Sequence, residues 1–233
     1  MEGVSGEVSS LAGHLGLGKL TFLYDSNEVS LDGPTRVTFT EDVGKRYEAY
    51  GWHVLLVEDG NTDLAAIEAA LKKAEVEINR PSLLIIKTTI GYGSPNKGGT
   101  SEAHGSPLGK EEVARTKKAL GWEWEEPFYE PAEALEHFRA AIPRGQAAQA
   151  DWEGRFKAWE QKFPDLAKEW EEAWSLARPA GWDKEIPVWK AGEKEATRAA
   201  AGKAMNALAA HVPWLLGGGA ELSTPTSTSL KRF

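Results

Sequence analysis

The amino-acid sequence predicts an α/β protein built around a parallel β-sheet. Three short apolar segments are typical of buried strands, namely "KLTFLYD", "HVLLVED" and "PSLLIIKTT". The segments between them carry apolar residues at helical spacing. The third strand segment is almost wholly apolar, as expected for a parallel strand that is covered on both faces. Strands that alternate with helices in this way indicate an α/β sheet.

A helix is predicted before the first strand, because apolar residues recur there at helical spacing and a glycine-rich stretch follows. The spaced residues are Val4, Val8, Leu11 and Leu15, and the "GLG" at residues 16–18 ends the helix. A short helix is predicted over "FTEDVGKRYEAYG", with Thr40 as its N-cap and Gly51 as a left-handed stop. A longer amphipathic helix over "NTDLAAIEAALKKAEVEI" separates the second strand from the third.

A long loop follows the third strand. Residues 90–109, "IGYGSPNKGGTSEAHGSPLG", are rich in glycine, proline and serine. Loops of this length inside a compact domain are usually functional. The single histidine of this loop, His104, does not by itself distinguish a functional group from a surface residue. A helix over residues 110–120 is predicted next, with Gly121 ending it.

Beyond this helix the sequence becomes rich in tryptophan. Aromatic residues and one leucine recur at spacings of three and four, as on one face of a helix: Trp152, Phe156, Trp159, Phe163, Leu166, Trp170 and Trp174. The opposite face is rich in glutamate and lysine, which favours packing over a stacking platform for nucleotides. Pro164 is expected to divide the stripe into two helices, with Asp165 near the start of the second.

The last part of the chain returns to an α/β pattern. "ARPAGWDKEIPVW" is typical of an extended linker, and "KEATRAAAGKAMNALAAHV" predicts a helix. "PWLLGGGAELS" predicts a strand that leads into a glycine-rich turn.

Composition restricts the classes of function. The chain has 233 residues, of which 41% are hydrophobic, enough for a folded core. The net charge of −8 argues against a general nucleic-acid binder, which needs a basic face. No apolar stretch approaches the ~20 residues that cross a membrane, so no membrane partner is expected. The absence of cysteine is consistent with a reducing cytoplasm, and a cytoplasmic location is expected.

The segment "YDSNEVSLDG" places Asn27 directly after the first predicted strand. Asparagine, aspartate, serine and glycine are the residues of ordinary turns. The same asparagine lies at the carboxyl end of a parallel strand, where open α/β sheets bind ligands. From these residues alone the turn interpretation is favoured, and the ligand interpretation stays open.

Five segments, taken together and in this order, resemble transketolase. They are "MEGVSGEVSSLAGHLGLGKLTFLYDSNEVSLDG", "FTEDVGKRYEAYGWHV", "IIKTTIGYGSPNKGGTSEAHGSPLG", "EKEATRAAAGKAMNAL" and "LLGGGAELS", so the resemblance covers nearly the whole chain. It implies part of a thiamin-diphosphate-binding domain, on the diphosphate side, over residues 1–124. It also implies a helical tryptophan-rich linker over 125–190. Residues 191–233 would begin the pyrimidine-binding α/β domain with its first helix and strand.

The resemblance implies a cofactor and a metal. Transketolases hold thiamin diphosphate through a divalent cation, Mg²⁺ or Ca²⁺, and such hard ions prefer about six oxygen ligands. Asn27 matches the asparagine that supplies an amide oxygen, and Val29 matches the residue that supplies a backbone carbonyl. The family's Gly-Asp-Gly signature, which contains the charged ligand, should lie just before Met1. The resemblance therefore implies a metal site without its only charged protein ligand.

Four further residues receive roles from the resemblance. Glu2 matches a glutamate at the dimer interface near the cofactor, and is a catalytic candidate. His104 matches a histidine that contacts both the cofactor and the reacting oxygen of the substrate. Arg198 matches the arginine that binds the sugar phosphate, and Glu221 stands where the family usually has a cofactor-binding aspartate.

The implied function is transfer of a two-carbon ketol unit between sugar phosphates, a reaction of the pentose phosphate pathway. The resemblance also implies that the intact enzyme is a homodimer. This chain alone is expected to be incomplete for that activity. One alternative is a non-catalytic transketolase-like fragment or subunit-interaction module. Another is a different thiamin enzyme, of the dihydroxyacetone or deoxyxylulose phosphate synthase type. The "ATR" around Arg198 and the "HGSPLG" loop favour transketolase over the latter.

Overall fold

The computed structural model describes residues 3–175, 178–219 and 221–231. These residues fall into two units, Met1–Tyr129 and Glu130–Phe233. Within the described ranges, no helix combines the length and the apolar character needed to span a bilayer. The three-part division at residues 124 and 190 stays a prediction.

The first unit alternates strands and helices in the predicted order. Its elements are α1 (Val4–His14), β1 (Thr21–Ser26), β2 (Val29–Ser30), β3 (Gly33–Pro34), a 3-10 turn (Thr35–Val37), α2 (Val43–Ala49), β4 (His53–Val57), α3 (Leu64–Val76), β5 (Ser82–Lys87), α4 (Glu102–Gly105) and α5 (Lys110–Ala119). The predicted strands β1, β4 and β5 and helices α1, α2, α3 and α5 are confirmed. The β2–β3 hairpin and the short helix α4 are additions that the sequence did not predict.

The main sheet is parallel, in the order β1-β5-β4, with β5 at its centre. The register places Tyr24, Ile85 and Leu56 side by side. Helix α3 covers one face, where a core forms from Val57, Ala70, Ala74, Leu84 and Ile86. Both faces of β5 lie in a core, with Leu84 and Ile86 on one face and Leu83 on the other, which accounts for its apolar sequence.

Helices α1 and α2 cover the opposite face around Trp52, which donates its indole N–H to the Ser9 carbonyl at 2.8 Å. Ser9 and Ala12 are the buried residues of α1. A Cβ added to Gly13 would lie 1.8 Å from the Tyr50 carbonyl oxygen. Helix α1 approaches the sheet so closely that only small residues fit between them. The apolar residues whose spacing predicted this helix stay exposed. Val4, Val8, Leu11 and Leu15 are each more than half exposed.

The start of α2 corrects one prediction. Asp42, not Thr40, is the N-cap, and its carboxylate accepts the Lys45 backbone N–H at 3.0 Å. Thr40 lies too early, because α2 begins at Val43 and the residue directly before it, Asp42, has the extended backbone of an N-cap. The predicted stop is confirmed, since Gly51 has φ +86°.

The second unit is helical. Its elements are α6 (Ala132–Arg139), α7 (Ala141–Lys162), α8 (Pro164–Trp174), α9 (Thr197–His211) and α10 (Ser223–Thr226). Pro164 is the first residue of α8, so the predicted division of the aromatic stripe is confirmed. Trp170 of α8 contacts Phe156 and Trp159 of α7, with ring centroids 5.9 and 6.5 Å apart. Trp170 therefore packs α8 on α7, as predicted for this stripe, whereas Trp152, Leu166 and Trp174 remain exposed.

The end of the chain folds back onto α9. Asn206 donates to the Ser229 carbonyl at 3.1 Å, and its own amide oxygen accepts the Lys231 backbone N–H at 2.7 Å. A Cβ on Gly202 would lie 2.6 Å from the Ser227 carbonyl oxygen, so this approach requires glycine. Over residues 212–219 and 221–222 the structure assigns no strand, and the strand expected in "PWLLGGGAELS" stays a prediction.

Candidate active site

The carboxyl ends of the three parallel strands meet at one edge of the main sheet. Polar residues at this edge form hydrogen bonds between the ends of neighbouring strands. The Thr88 hydroxyl, after β5, donates to the Asp25 carboxylate at the end of β1. On the other side the Thr89 backbone N–H donates to the Asn61 amide oxygen at 2.9 Å. This edge is where open α/β sheets bind ligands.

The turn after β4 owes its shape to Asp59. Its carboxylate accepts the backbone N–H groups of Asn61 and Thr62 at 2.9 and 3.1 Å, and also the Thr62 hydroxyl. These hydrogen bonds, the Thr62 hydroxyl first, lower the pKa of Asp59. The ordered turn carries Asn61 to β5, so a polar contact joins the segments that follow β4 and β5.

Asn27 lies at the start of the β2–β3 hairpin, directly beyond β1. Its amide oxygen accepts the Val29 backbone N–H at 3.1 Å, and its amide nitrogen lies 3.4 Å from the Asp25 carboxylate. Glu28, between them, has the left-handed φ of +60°. Non-glycine residues take up this conformation mainly where the surrounding structure imposes it, and such sites cluster at functional positions.

The carbonyl of Val29 is the second predicted metal ligand. In the hairpin register Val29 faces Pro34, which has no N–H to donate to it. The Asn27 amide oxygen has two lone pairs, and the Val29 N–H uses one of them. Two neutral oxygens, two residues apart, are chemically suited to a hard cation such as Mg²⁺ or Ca²⁺. Among the described residues no group of three or more His, Asp or Glu side chains is placed to hold a metal.

The long loop brings His104 to the same hairpin. The Gly99 N–H donates to the Ile90 carbonyl at 2.8 Å, which closes the first half of the loop on itself. The second half forms α4, which carries His104 with its imidazole exposed. A Cβ on the next residue, Gly105, would lie 2.5 Å from a methyl carbon of Leu31 at the hairpin tip. The structure thus places the His104 segment against the hairpin that begins at Asn27.

A cleft of about 720 Å³ opens beside this hairpin, between the sheet and α2. Near the strand ends its walls include Ser26, Glu28 and Lys87, and the 3-10 turn and α2 add Arg36 and Lys45. The volume lies within the range that small-molecule sites occupy, about 300–1,000 Å³. Charges of both signs on its walls are suited to a polar ligand.

Two predicted residues belong to the second unit. Arg198 is exposed in the first turn of α9. It forms no ion pair with any residue in the described ranges. Glu221 is exposed and has the left-handed φ of +63°. The remaining catalytic candidate, Glu2, lies outside the described residues.

Comparison with known proteins decides the family. Residues 1–179 match the family described as "Transketolase, thiamine diphosphate binding domain". The chain belongs to the transketolase family. This assignment confirms the resemblance seen in the sequence, and it favours transketolase over the synthase alternatives.

Named relatives agree with this assignment along the whole chain. Transketolase of Geobacillus stearothermophilus is 47% identical over 232 residues, which is 99% of this chain and 35% of the relative. Transketolase of Bacillus subtilis is 46% identical over 232 residues, with the same two shares. The crystal structure of a Pichia stipitis transketolase in complex with sedoheptulose-7-phosphate superposes with a TM-score of 0.91. It is 40% identical, and the match covers 99% of this chain and 34% of that one. The chain thus spans about a third of the length of these transketolases.

Sequence reasoning missed several residues of the candidate site. Asp25 and Thr88 join β1 to β5, and Asn61 joins β4 to β5. One signal was available, because each of these polar residues lies at or just beyond the end of a predicted strand. A buried glutamate beneath the long loop, Glu112, was also missed. The sequence of α5 is typical of a charged surface helix, so the spacing of its residues did not indicate that Glu112 is buried.

Proposed function

We propose that the protein takes part in transferring a two-carbon ketol unit between sugar phosphates, with thiamin diphosphate as cofactor. In this proposal the first unit supplies the diphosphate side of the cofactor site. The observation that carries it is the single turn that joins Asn27 to Val29 at the carboxyl edge of the sheet. The match to the transketolase thiamine diphosphate binding domain supports the same cofactor.

The proposed cation is Mg²⁺ or Ca²⁺, with the Asn27 amide oxygen and the Val29 carbonyl as protein ligands. When bound, the cofactor supplies the carbon nucleophile of the reaction. The two neutral oxygens of the chain would fix the position of the diphosphate through the cation. Because both are uncharged, we expect weak binding of cofactor and cation to this chain alone.

His104 is proposed to contact the cofactor and the reacting oxygen of the sugar. Its exposed imidazole on α4 can reach a ligand without rearrangement of the core. An imidazole can act as a general acid or base, so His104 is suited to proton transfer at that oxygen. Glu2 keeps a proposed catalytic role from the family position alone.

Arg198 is proposed to bind the sugar phosphate. A cation in the first turn of a helix opposes the helix dipole, so Arg198 is not there to stabilise α9. The planar guanidinium of an arginine can instead bind a phosphate through two parallel hydrogen bonds. Glu221 is proposed as a cofactor contact on the thiamin side.

Sugar phosphates are the proposed substrates, and a relative solved with sedoheptulose-7-phosphate supports that class. A homodimer is proposed for the whole protein from the family. A cytoplasmic location is proposed as well, although several relatives are described as chloroplastic.

A graft tests the proposed activity. Residues 3–231 of this chain would replace the matching third of the Geobacillus stearothermophilus transketolase, and ketol transfer from a ketose phosphate would be measured. We expect activity that depends on thiamin diphosphate. His104→Ala should lower kcat/KM about 100-fold or more, the usual contribution of an acid–base group. His137→Ala is the matched control, because His137 is on α6 and has no proposed role. A fully active His104→Ala graft would contradict the proposal.

A second candidate function is a subunit-interaction module without catalysis. It is favoured by exposed apolar residues on β1, where Phe22 is 41% and Leu23 is 57% exposed. In the main sheet β1 is paired on one side only. The graft distinguishes the two functions, because an inactive graft that still folds and associates would favour the interaction module.

A further inference from the structure

A buried carboxylate lies beneath the long loop. Glu112, in the first turn of α5, is 5% exposed, and the only other buried polar side chains in the described ranges are three serines. Burying a charge is unfavourable unless it is fully hydrogen-bonded. The donors around Glu112 therefore indicate what this burial achieves.

Four donors satisfy the Glu112 carboxylate. One oxygen accepts the Ser94 hydroxyl at 2.6 Å and the Asn96 backbone N–H at 2.8 Å. The other accepts the Asn96 side-chain amide at 2.8 Å and the Arg115 guanidinium at 3.3 Å. An ionised carboxylate has about four acceptor positions, and all are occupied here. Three of the four donors come from the loop.

These hydrogen bonds also settle the charge state of the group. The amide of Asn96, the Ser94 hydroxyl and the Asn96 backbone N–H lower the pKa of Glu112 to about 2. The carboxylate is therefore ionised throughout the neutral range.

A continuous set of hydrogen bonds leads from Glu112 toward His104. The Ser94 hydroxyl, which donates to Glu112, accepts the Lys97 backbone N–H at 3.2 Å. The Lys97 carbonyl accepts the Thr100 hydroxyl at 2.8 Å. The Thr100 carbonyl accepts the N–H of Ala103 at 3.2 Å, and His104 is the next residue.

The far end of this path is closely packed. A Cβ on Gly91 would lie 3.1 Å from the Cβ of Ala103, so the two halves of the loop touch. Beyond His104, Gly105 contacts Leu31 of the hairpin. A displacement of residues 94–97 would therefore pass to the His104 segment.

We propose that Glu112 is a positioning residue that fixes His104 relative to the hairpin beginning at Asn27. The role of Glu112 rests on the proposed role of His104 in ketol transfer. An apolar residue at position 112 would fill the space but could not bind three loop donors at once. The carboxylate sets the shape of a loop that has little apolar packing of its own.

The test compares Glu112→Gln with Glu111→Gln in the full chain. Both changes remove a carboxylate that binds Arg115, but Glu111 is exposed and does not bind the loop. Hydrogen exchange of the Asn96 and Lys97 amides would be measured by NMR, with the Leu84 amide as the reference for global unfolding. We expect about tenfold or faster exchange in Glu112→Gln only, as for a lost hydrogen bond to a charged group. The His104 ring signals should shift or broaden in the same variant.

A second pair of variants separates positioning from folding. Ser94→Ala removes one loop donor and should give a smaller change of the same kind, even if Glu112→Gln fails to fold. In the double variant Glu112→Gln with Asn96→Asp, the side-chain amide at position 112 can donate to the carboxylate at position 96. This variant should regain part of the protection of the loop amides from exchange. Unchanged His104 signals in a folded Glu112→Gln or Ser94→Ala variant would overturn the proposal.

The readout needs no substrate, so the two proposals can fail separately. If the His104 signals respond to Glu112→Gln but the His104→Ala graft stays active, the positioning holds and the catalytic role of His104 fails.

Discussion

Asn27 accepts the backbone N–H of Val29 at 3.1 Å, so the two predicted metal ligands are held by one turn. This hydrogen bond is the one expected if Asn27 forms a turn. It leaves a second lone pair on the amide oxygen, which is free to bind a cation. The two interpretations are therefore compatible. The turn prepares the ligands before any cation arrives.

Changing Asn27 should separate these two roles. Asn27→Ala loses the hydrogen bond and should lower the unfolding free energy by about 1 kcal/mol. Asn27→Asp keeps the acceptor but places a second carboxylate beside Asp25, where the amide now lies 3.4 Å away. Its stability should therefore fall as well, but it should recover when millimolar Mg²⁺ is added. Urea denaturation with and without Mg²⁺ measures both effects. Equal Mg²⁺ responses in the Ala and Asp variants would contradict a cation site here.

The glycine-rich loop should be sensitive at Gly93 in particular. A Cβ there would lie 2.5 Å from a methyl carbon of Leu120, whereas a Cβ on Gly99 would meet only Thr89 at 3.7 Å. Both glycines have positive φ, so alanine brings the same backbone strain at each position. The difference between the variants isolates the contact with Leu120, the C-cap residue of α5. Gly93→Ala should be the less stable, by roughly 1–2 kcal/mol, in thermal or urea unfolding. Equal losses would show that the loop does not pack on Leu120.

Acid should weaken the start of α2 through Asp42. The backbone N–H of Lys45, then its side chain, lowers the pKa of the Asp42 carboxyl. A depressed pKa in the folded state contributes stability above the unfolded value of 3.8, and this contribution is lost as the pH falls below it. Asp42→Asn keeps the cap without the titration, so its urea midpoint should fall less than that of the wild type between pH 7 and pH 3.

Thr40→Ala is the matched control for the cap. Because Asp42 occupies the N-cap position, loss of the Thr40 hydroxyl should leave the urea midpoint unchanged at both pH values. A larger effect at Thr40 than at Asp42 would restore the cap that the sequence predicts.

Arg198 should be unfavourable for the stability of α9. Replacing it with glutamate puts a negative charge at the positive end of the helix, and should stabilise the chain by roughly 0.5 kcal/mol. Lys194→Glu makes the same charge change before the helix begins and should have a smaller effect. Thermal unfolding at low salt compares the two variants. Destabilisation by Arg198→Glu would mean that this arginine stabilises the fold, and would argue against a role in phosphate binding alone.

The strands were predictable because their sequence patterns depend on the sheet itself. A central parallel strand such as β5 must be apolar on both faces, and its sequence shows this directly. The face that α1 buries was not predictable. Its packing depends on how closely the Gly13 backbone approaches Tyr50, and hydrophobic periodicity does not report that distance.

The site was predictable only in part. Asn27 could be placed at the end of a strand, and the family resemblance gave it a role. The Glu112 network could not be predicted, because three of its four donors come from Ser94 and Asn96, which lie 16 to 18 residues away in an irregular loop. Helical periodicity describes the surface of α5 but not which carboxylate faces that loop.

The most direct test follows the cation itself. Mn²⁺ and thiamin diphosphate would be titrated into the labelled chain, and paramagnetic broadening of the backbone amide signals would be recorded. The account predicts that the signals of residues 27–29 broaden first, and that Asn27→Ala removes this effect. Broadening that is absent there, or that persists unchanged in Asn27→Ala, would contradict a cation held by Asn27 and Val29.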